Sequence, residues 1–200
     1  MKKSLFILLI LTLVSGAYAQ KIKFIQGISL SRYAVQPTRY HDPWWGIDSD
    51  YRPEYIRGLI IGVGAEFVLS ENLSLEIDQL YFQKGSRVEA ENLLYPFNFK
   101  LDVMSFPVLF KIRPPSGPPI YFLGGGEFSI TLSHGGYTEE TRMFEWGVVL
   151  GYGFDIKISE KLFCMEMRYH FGLNNILKEN LQYFTSIKTN GFAFILGFDI

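Results

Sequence analysis

The clearest order in this chain is a period of two. From Phe144 to Ile158 every even position is large and apolar: Phe144, Trp146, Val148, Leu150, Tyr152, Phe154, Ile156 and Ile158. The odd positions are Glu145, Gly147, Val149, Gly151, Gly153, Asp155 and Lys157. Successive side chains of a β-strand point to opposite faces, so this spacing predicts a strand with one apolar face and one small or charged face. At about 3.3 Å per residue the apolar stripe is about 45 Å long; tilted by about 40°, it rises about 35 Å, enough to cross the hydrocarbon core of a bilayer. Strands of ordinary globular proteins have about 5–6 residues.

Alternation alone does not say which face meets water, because a soluble lipocalin-like barrel alternates too. The composition of the polar face decides. A long water-facing stripe carries Lys, Glu, Thr and Ser; this one carries glycine and a few charges, and the next strand repeats the pattern. In the segment from Phe163 to Phe171, Phe163, Met165, Met167, Tyr169 and Phe171 share one face, and Glu166, Arg168 and His170 the other. Glycine and complementary charges suit the crowded interior of a small closed barrel, and apolar residues with aromatics near the ends suit lipid.

The same alternation predicts strands over 22–32, 55–69, 73–83, 97–112, 119–133, 144–158, 162–172 and 188–200. Pro107 lacks a ladder donor and predicts a bend or bulge in the fourth. The connections alternate long and short. Residues 33–54, 84–95, 134–141 and 173–187 are long, and Ser70-Glu71-Asn72, residues 113–118 and Ser159-Glu160-Lys161 are tight turns. Barrels of bacterial outer membranes have short periplasmic turns, longer outer loops and an even strand number. The expected fold is therefore all-β: an eight-stranded antiparallel up-and-down transmembrane β-barrel. Trp146, Tyr169 and Phe171 would form its outer aromatic girdle, and Phe163 and Phe198 its inner one. Trp146, Leu150, Phe154, Met165, Met167, Phe194 and Phe198 are expected to face lipid.

Composition agrees with strand crossing. Hydrophobic residues make up 48% and aromatics 16% of the chain, without a long apolar run after residue 20, which argues against membrane-spanning helices. Residues 1–19 read as a cleaved signal peptide: Lys2 and Lys3 precede an apolar stretch from Leu5 to Val14, and Ala17-Tyr18-Ala19 is a cleavage site. Residues 20–200 are then one barrel domain, which the barrel-assembly machinery would insert into the outer membrane of a Gram-negative bacterium, with outer-membrane lipid around it. Lys and Arg total 19 and Asp and Glu 20, a balance that offers no basis for nucleic-acid binding. The single Cys164 cannot form an internal disulfide and reads as a small filler.

Four segments carry a resemblance. LSLEIDQLYFQKGSRV from Leu73, LDVMSFPVLFKI from Leu101, IYFLGGGEFSI from Ile120 and FGLNNIL from Phe171 resemble the PorT-like outer-membrane β-barrel proteins, in order along nearly the whole mature chain. The resemblance implies an eight-stranded barrel in a Gram-negative outer membrane. One branch of that family serves a secretion system for surface and gliding proteins, and no catalytic residues carry across. The family usually has an acidic residue before the aliphatic-proline pair of the fourth strand, where Ser105 stands here.

The candidate chemistry is sparse. Glu66, Glu76, Asp78, Lys111, Glu127, Glu145, Asp155, Lys157, Glu166, Arg168 and His170 are expected to point inward. They read as a structural polar network, since eight strands leave room only for side chains and buried charges must be paired; the rival reading is a proton- or ion-conducting lumen. Gly124-Gly125-Gly126 lacks the Lys-Ser/Thr of a phosphate loop and reads as close packing. His41, Asp42 and Asp48 are too few for a metal site. Ser133-His134 lacks a third member for a hydrolytic triad. Trp44-Trp45 either lies on the membrane interface or contacts a glycan or protein partner. No cofactor motif and no catalytic set is expected. The functional expectation is an outer-membrane barrel without an open pore, acting as scaffold or interaction protein through its outer loops. The alternatives are a secretion-machine component, a lipid-modifying enzyme and a narrow channel.

Overall fold

A computed structural model describes residues 21–37, 52–89, 97–134, 142–159, 161–176 and 184–200. They form eight antiparallel strands: β1 (Lys21–Pro37), β2 (Arg52–Ser70), β3 (Leu73–Glu89), β4 (Phe97–Ile112), β5 (Ile120–His134), β6 (Phe144–Ile158), β7 (Lys161–Gly172) and β8 (Phe184–Asp199). Each pairs with its neighbours in sequence, and β8 returns to pair with β1, closing the barrel. Closure follows from the solvent, because an open sheet edge in hydrocarbon would leave a row of backbone groups without partners.

The alternation maps onto the two sides of the wall. In β6, Trp146 and Leu150 are 58% and 54% exposed, whereas Val149 is 0% exposed. The even positions of β7 are buried from Cys164 onward and its odd positions look outward, Met165 exposed and Met167 half-buried. Phe194 is exposed, and Phe154 and Phe198 are half-buried on the same outer face.

Several boundaries differ from the sequence expectation, and β1 and β2 both run further into the first long connection, to Pro37 and from Arg52. β3 continues from Lys84 to Glu89, where a loop was expected, and pairs with Phe97 to Leu101 of β4. Polar residues stand on both faces of that extension, so hydropathy carries no strand signal there. β8 starts at Phe184, and Ile187 and Lys188 pair with Val35 and Ala34 of a longer β1. His134, expected in a loop, ends β5 and pairs with Leu101.

The wall departs from regular pairing at several places, and the departure between β2 and β3 draws in a third strand. The β2–β3 register shifts between Tyr55 and Ile60. Here β1 reaches past β2: Ser29 Oγ donates to the Gln83 carbonyl at 2.7 Å, and the Gly85 amide donates to Ser31 Oγ at 2.8 Å. The Leu59 amide donates to the side-chain oxygen of Gln83 at 3.1 Å. Side chains thus take over backbone groups that the ladder gives up. Gly58 permits the approach, since a Cβ there would stand 2.2 Å from the Gln83 carbonyl oxygen. At Pro107 the β3–β4 pairing breaks after Ile77↔Val108 and resumes at Leu80↔Ser105 in the same register. The proline interrupts the ladder without a bulge; the β4–β5 register shifts between Asp102 and Val103, where β5 carries the extra residue, Leu132.

Candidate functional site in the barrel interior

The inward face of the half nearest the short turns holds an interlocked set of charges. Arg168 is central and wholly buried. Its Nη1 donates to Asp78 at 2.6 Å, its Nη2 to Glu76 at 2.6 Å, and its Nε to Glu166 at 2.7 Å. Lys23 bridges Glu76 at 2.6 Å and Glu166 at 3.2 Å. Lys111 lies 3.3 Å from Glu66 and 3.6 Å from Glu76, with its ammonium 3.8 Å from the centre of the Tyr121 ring. Tyr121 donates its hydroxyl to Glu166 at 2.7 Å.

Arg113 closes the set from the turn between β4 and β5, 2.8 Å from Glu66 and 3.4 Å from Asp155. Half-burial disfavours its charge, but the two carboxylates more than offset this and hold its pKa above the ordinary arginine value. The guanidinium therefore stays charged, as arginine does in proteins generally.

The half nearer the long connections is different. Lys84 lies 3.0 Å from Glu127 and 3.3 Å from Glu145. His170 Nδ1 meets the other oxygen of Glu127, and Ser129 donates to Glu127 at 2.8 Å. Phe82 stacks edge-on against His170 with ring centres 5.0 Å apart. Apolar side chains fill the rest: Ile25, Ile60, Leu80, Leu101, Val103 and Ile195 form one buried cluster with Phe82. Leu109, Tyr121, Leu123, Val149 and Cys164 form a second, which reaches through Tyr121 into the half nearest the short turns.

Of the expected inward set, Glu66, Glu76, Asp78, Lys111, Glu127, Glu145, Glu166, Arg168 and His170 are buried, and Asp155 is half-buried against Arg113. Lys157 is not part of the network. It is exposed at the turn end of β6 and makes no ion pair among the described residues. The physical reason is position: the inward row opens to water where the strand leaves the barrel, and a lysine stem reaches that water at little cost.

Sequence reasoning missed Lys23, Lys84, Arg113 and Tyr121. Their absence left a visible deficit, because seven expected inward carboxylates stood against Lys111, Lys157, Arg168 and one histidine. Buried carboxylates without cations are too costly to persist, so further lysines or arginines had to face inward. Lys23 has the parity of Ser29 and Ser31, which would have found it.

Ser105 is buried, and its hydroxyl has no hydrogen-bond partner among the described residues. Gly125 packs tightly, since a Cβ would stand 2.0 Å from the Val108 carbonyl oxygen, whereas Gly126 faces open space. No cluster of three or more metal-ligating side chains occurs among the described residues. Trp44, Trp45, His41, Asp42 and Asp48 lie outside the described residues. The backbone of Ser133 and His134 belongs to β5.

Comparison with known proteins agrees with this architecture. No curated protein matches the sequence. The structure is similar to that of the outer membrane protein OprG from Pseudomonas aeruginosa, with 13% identity, coverage of 92% of this chain and 97% of that one, and a TM-score of 0.53. It is also similar to Neisserial surface protein A, with 10% identity, coverage of 91% and 99%, and a TM-score of 0.50. At such identities the likeness concerns the fold alone. The sequence itself matches the family described as outer membrane protein beta-barrel domain over residues 20–178. A closed eight-stranded barrel, apolar outside and ion-paired within, is thus joined to a family match over most of the chain: this protein belongs to the outer membrane β-barrel domain family and resides in the outer membrane of a Gram-negative bacterium.

Proposed function

We propose that this protein is a non-conducting outer-membrane anchor. Its barrel holds the four longer connections at the cell surface, where they serve as scaffold or contact a protein or glycan partner. Within the family it is of the PorT-like type, and residues 1–19 are removed on export. The observation that carries the reading is the filled interior. Arg168 is held by three carboxylates in one half, and Lys84, Glu127, Glu145 and His170 meet in the other, among Phe82, Leu80 and Val103. Eight strands enclose space for side chains only, so what remains available for interaction is outside the wall.

The test is surface labelling. An epitope inserted between Asp48 and Ser49, in the first long connection, is expected to bind antibody on intact cells. The tagged barrel should still migrate fast on a gel unheated and slow after boiling. A folded barrel whose epitope is reached only after the outer membrane is opened would overturn the orientation and with it the proposed role.

A further inference from the structure

The two sides of the barrel differ at one height. Near the long connections, about 25–35 Å along the axis from the short turns for strands tilted by about 40°, the β5–β7 side presents Leu132, Phe144, Trp146 and Phe171, all exposed and apolar. At the same height β8, β1, β2 and β4 present Lys188, Arg32, Arg57 and Lys100, all exposed. Register puts them on the outer face. Lys188 is opposite Ala34, Arg57 is opposite the outward Leu30, and Lys100 adjoins the buried, inward Leu101.

Arg87 of β3 continues the arc, in an ion pair with Glu54 at 4.0 Å. Asp102 is the other acid there and accepts from Gln83 at 3.2 Å. Among the described side chains five cations thus stand against two carboxylates. Arg32, Arg57, Lys100 and Lys188 make no ion pair among the described residues. Arg32 lies over the Tyr55 ring, 4.8 Å from its centre, which fixes the guanidinium at the wall.

Below Arg32 and Arg57 the wall is concave. Ile28, Leu59, Phe194, Leu196, Met167 and Tyr152 line an outward groove of about 650 Å³. Its mouth lies on the lipid side, and its lining is almost wholly apolar.

Arg32, Arg57 and Lys188, without an ion pair among the described residues, stand on the strands β1, β2 and β8 that also line the apolar groove, and the pairing matches a molecule with an anionic head and acyl chains. We propose that the β8–β1–β2 part of this arc is a binding site for a phosphate-bearing lipid of the leaflet that meets the long connections, with its phosphate on Arg32, Arg57 and Lys188 and an acyl chain in the groove beneath. The site deepens the anchor reading and rests on it for the choice of leaflet. A free anion would have no use for the groove, and a protein partner would need no acyl-shaped surface below the charges.

The test uses the folded full barrel in neutral detergent and native mass spectrometry. The probes are lipid A, an acylated disaccharide bearing phosphates, and its dephosphorylated form. Wild type is expected to retain lipid A and to lose at least about tenfold in apparent affinity for the dephosphorylated form, since each basic residue near a lipid surface contributes measurably. R32Q/R57Q/K188Q is expected to lose about tenfold or more for lipid A. K21Q/K161Q, at the opposite end, should bind as wild type.

The milder R32Q/K188Q serves if the triple variant fails to fold, with an expected loss of about threefold or more. Heat-modifiable migration identifies the folded samples. Equal binding by a folded arc variant, equal loss in K21Q/K161Q, or displacement of lipid A by millimolar inorganic phosphate would each overturn the site. Because binding in detergent does not depend on orientation, a wrong leaflet assignment would show in the epitope experiment and leave this result standing.

Discussion

The two faces of the barrel wall obey opposite rules, although one period of two writes both. On the outer face Leu150 and Trp146 are exposed side by side with other apolar residues, and lipid adapts to whatever shape they present. On the inner face Val149 and Arg168 have no exposure at all, and a Cβ on Gly151 would stand 2.5 Å from the Met167 carbonyl oxygen. The outer face tolerates variation in shape and rejects charge. The inner face accepts charge, provided that it is paired, and rejects volume. A residue's parity therefore decides the cost of a substitution more than its hydropathy does.

The largest effect should come from removing the strand on which both faces depend. Deleting residues 192–200 takes away the partners of Lys23 to Leu30 on β1 and of Phe163 to Tyr169 on β7. Two open edges would then face hydrocarbon, where each orphaned backbone group costs several kcal/mol. The truncated chain is expected to show no heat-modifiable band in membrane fractions. A normal band would mean that β8 is not needed to close the wall.

Next comes the inner face. Arg168→Met keeps most of the volume but leaves Asp78, Glu76 and Glu166 without their shared guanidinium. Breaking a buried pair in this way costs about 3–5 kcal/mol, read as a lowered midpoint in urea titration of the barrel refolded in micelles. A change under about 1 kcal/mol would mean that water reaches those carboxylates.

The outer face follows. Leu150→Arg puts a charge into lipid near mid-depth and should cost about 2–4 kcal/mol. Its neighbour on the other side, Val149→Thr, adds only a hydroxyl among inward groups and should cost about 1 kcal/mol. The reverse order of these two costs would turn the barrel inside out.

Most of the fold was legible because the two environments differ so strongly in polarity. All eight strands, their closure and the inward position of Glu166, Arg168 and His170 follow from alternation. What escaped notice lay where that contrast fades. The outer extension of β3 carries Lys84 and Ser86 inward and Gln83 and Arg87 outward, so both faces are polar and the strand looks like loop.

The interior was also less polar than its charges suggested. Leu80, Phe82, Val103 and Leu109 point inward, because ion pairs alone cannot fill the space and apolar side chains pack the remainder. Arg113 was hidden in a turn, from which its length lets it reach Glu66 and Asp155. Lys157 was the opposite case. Its parity is inward, but its place at the strand end lets it reach water.

The central claim is that paired charges and apolar side chains together close the interior. Single-channel recording of the purified, heat-modifiable barrel in a planar bilayer tests it most directly. The account predicts no current steps above the bare bilayer at any applied voltage that the membrane withstands. Discrete, reproducible openings from the wild-type barrel would contradict it, and would make Arg168 and its carboxylates part of a conducting path.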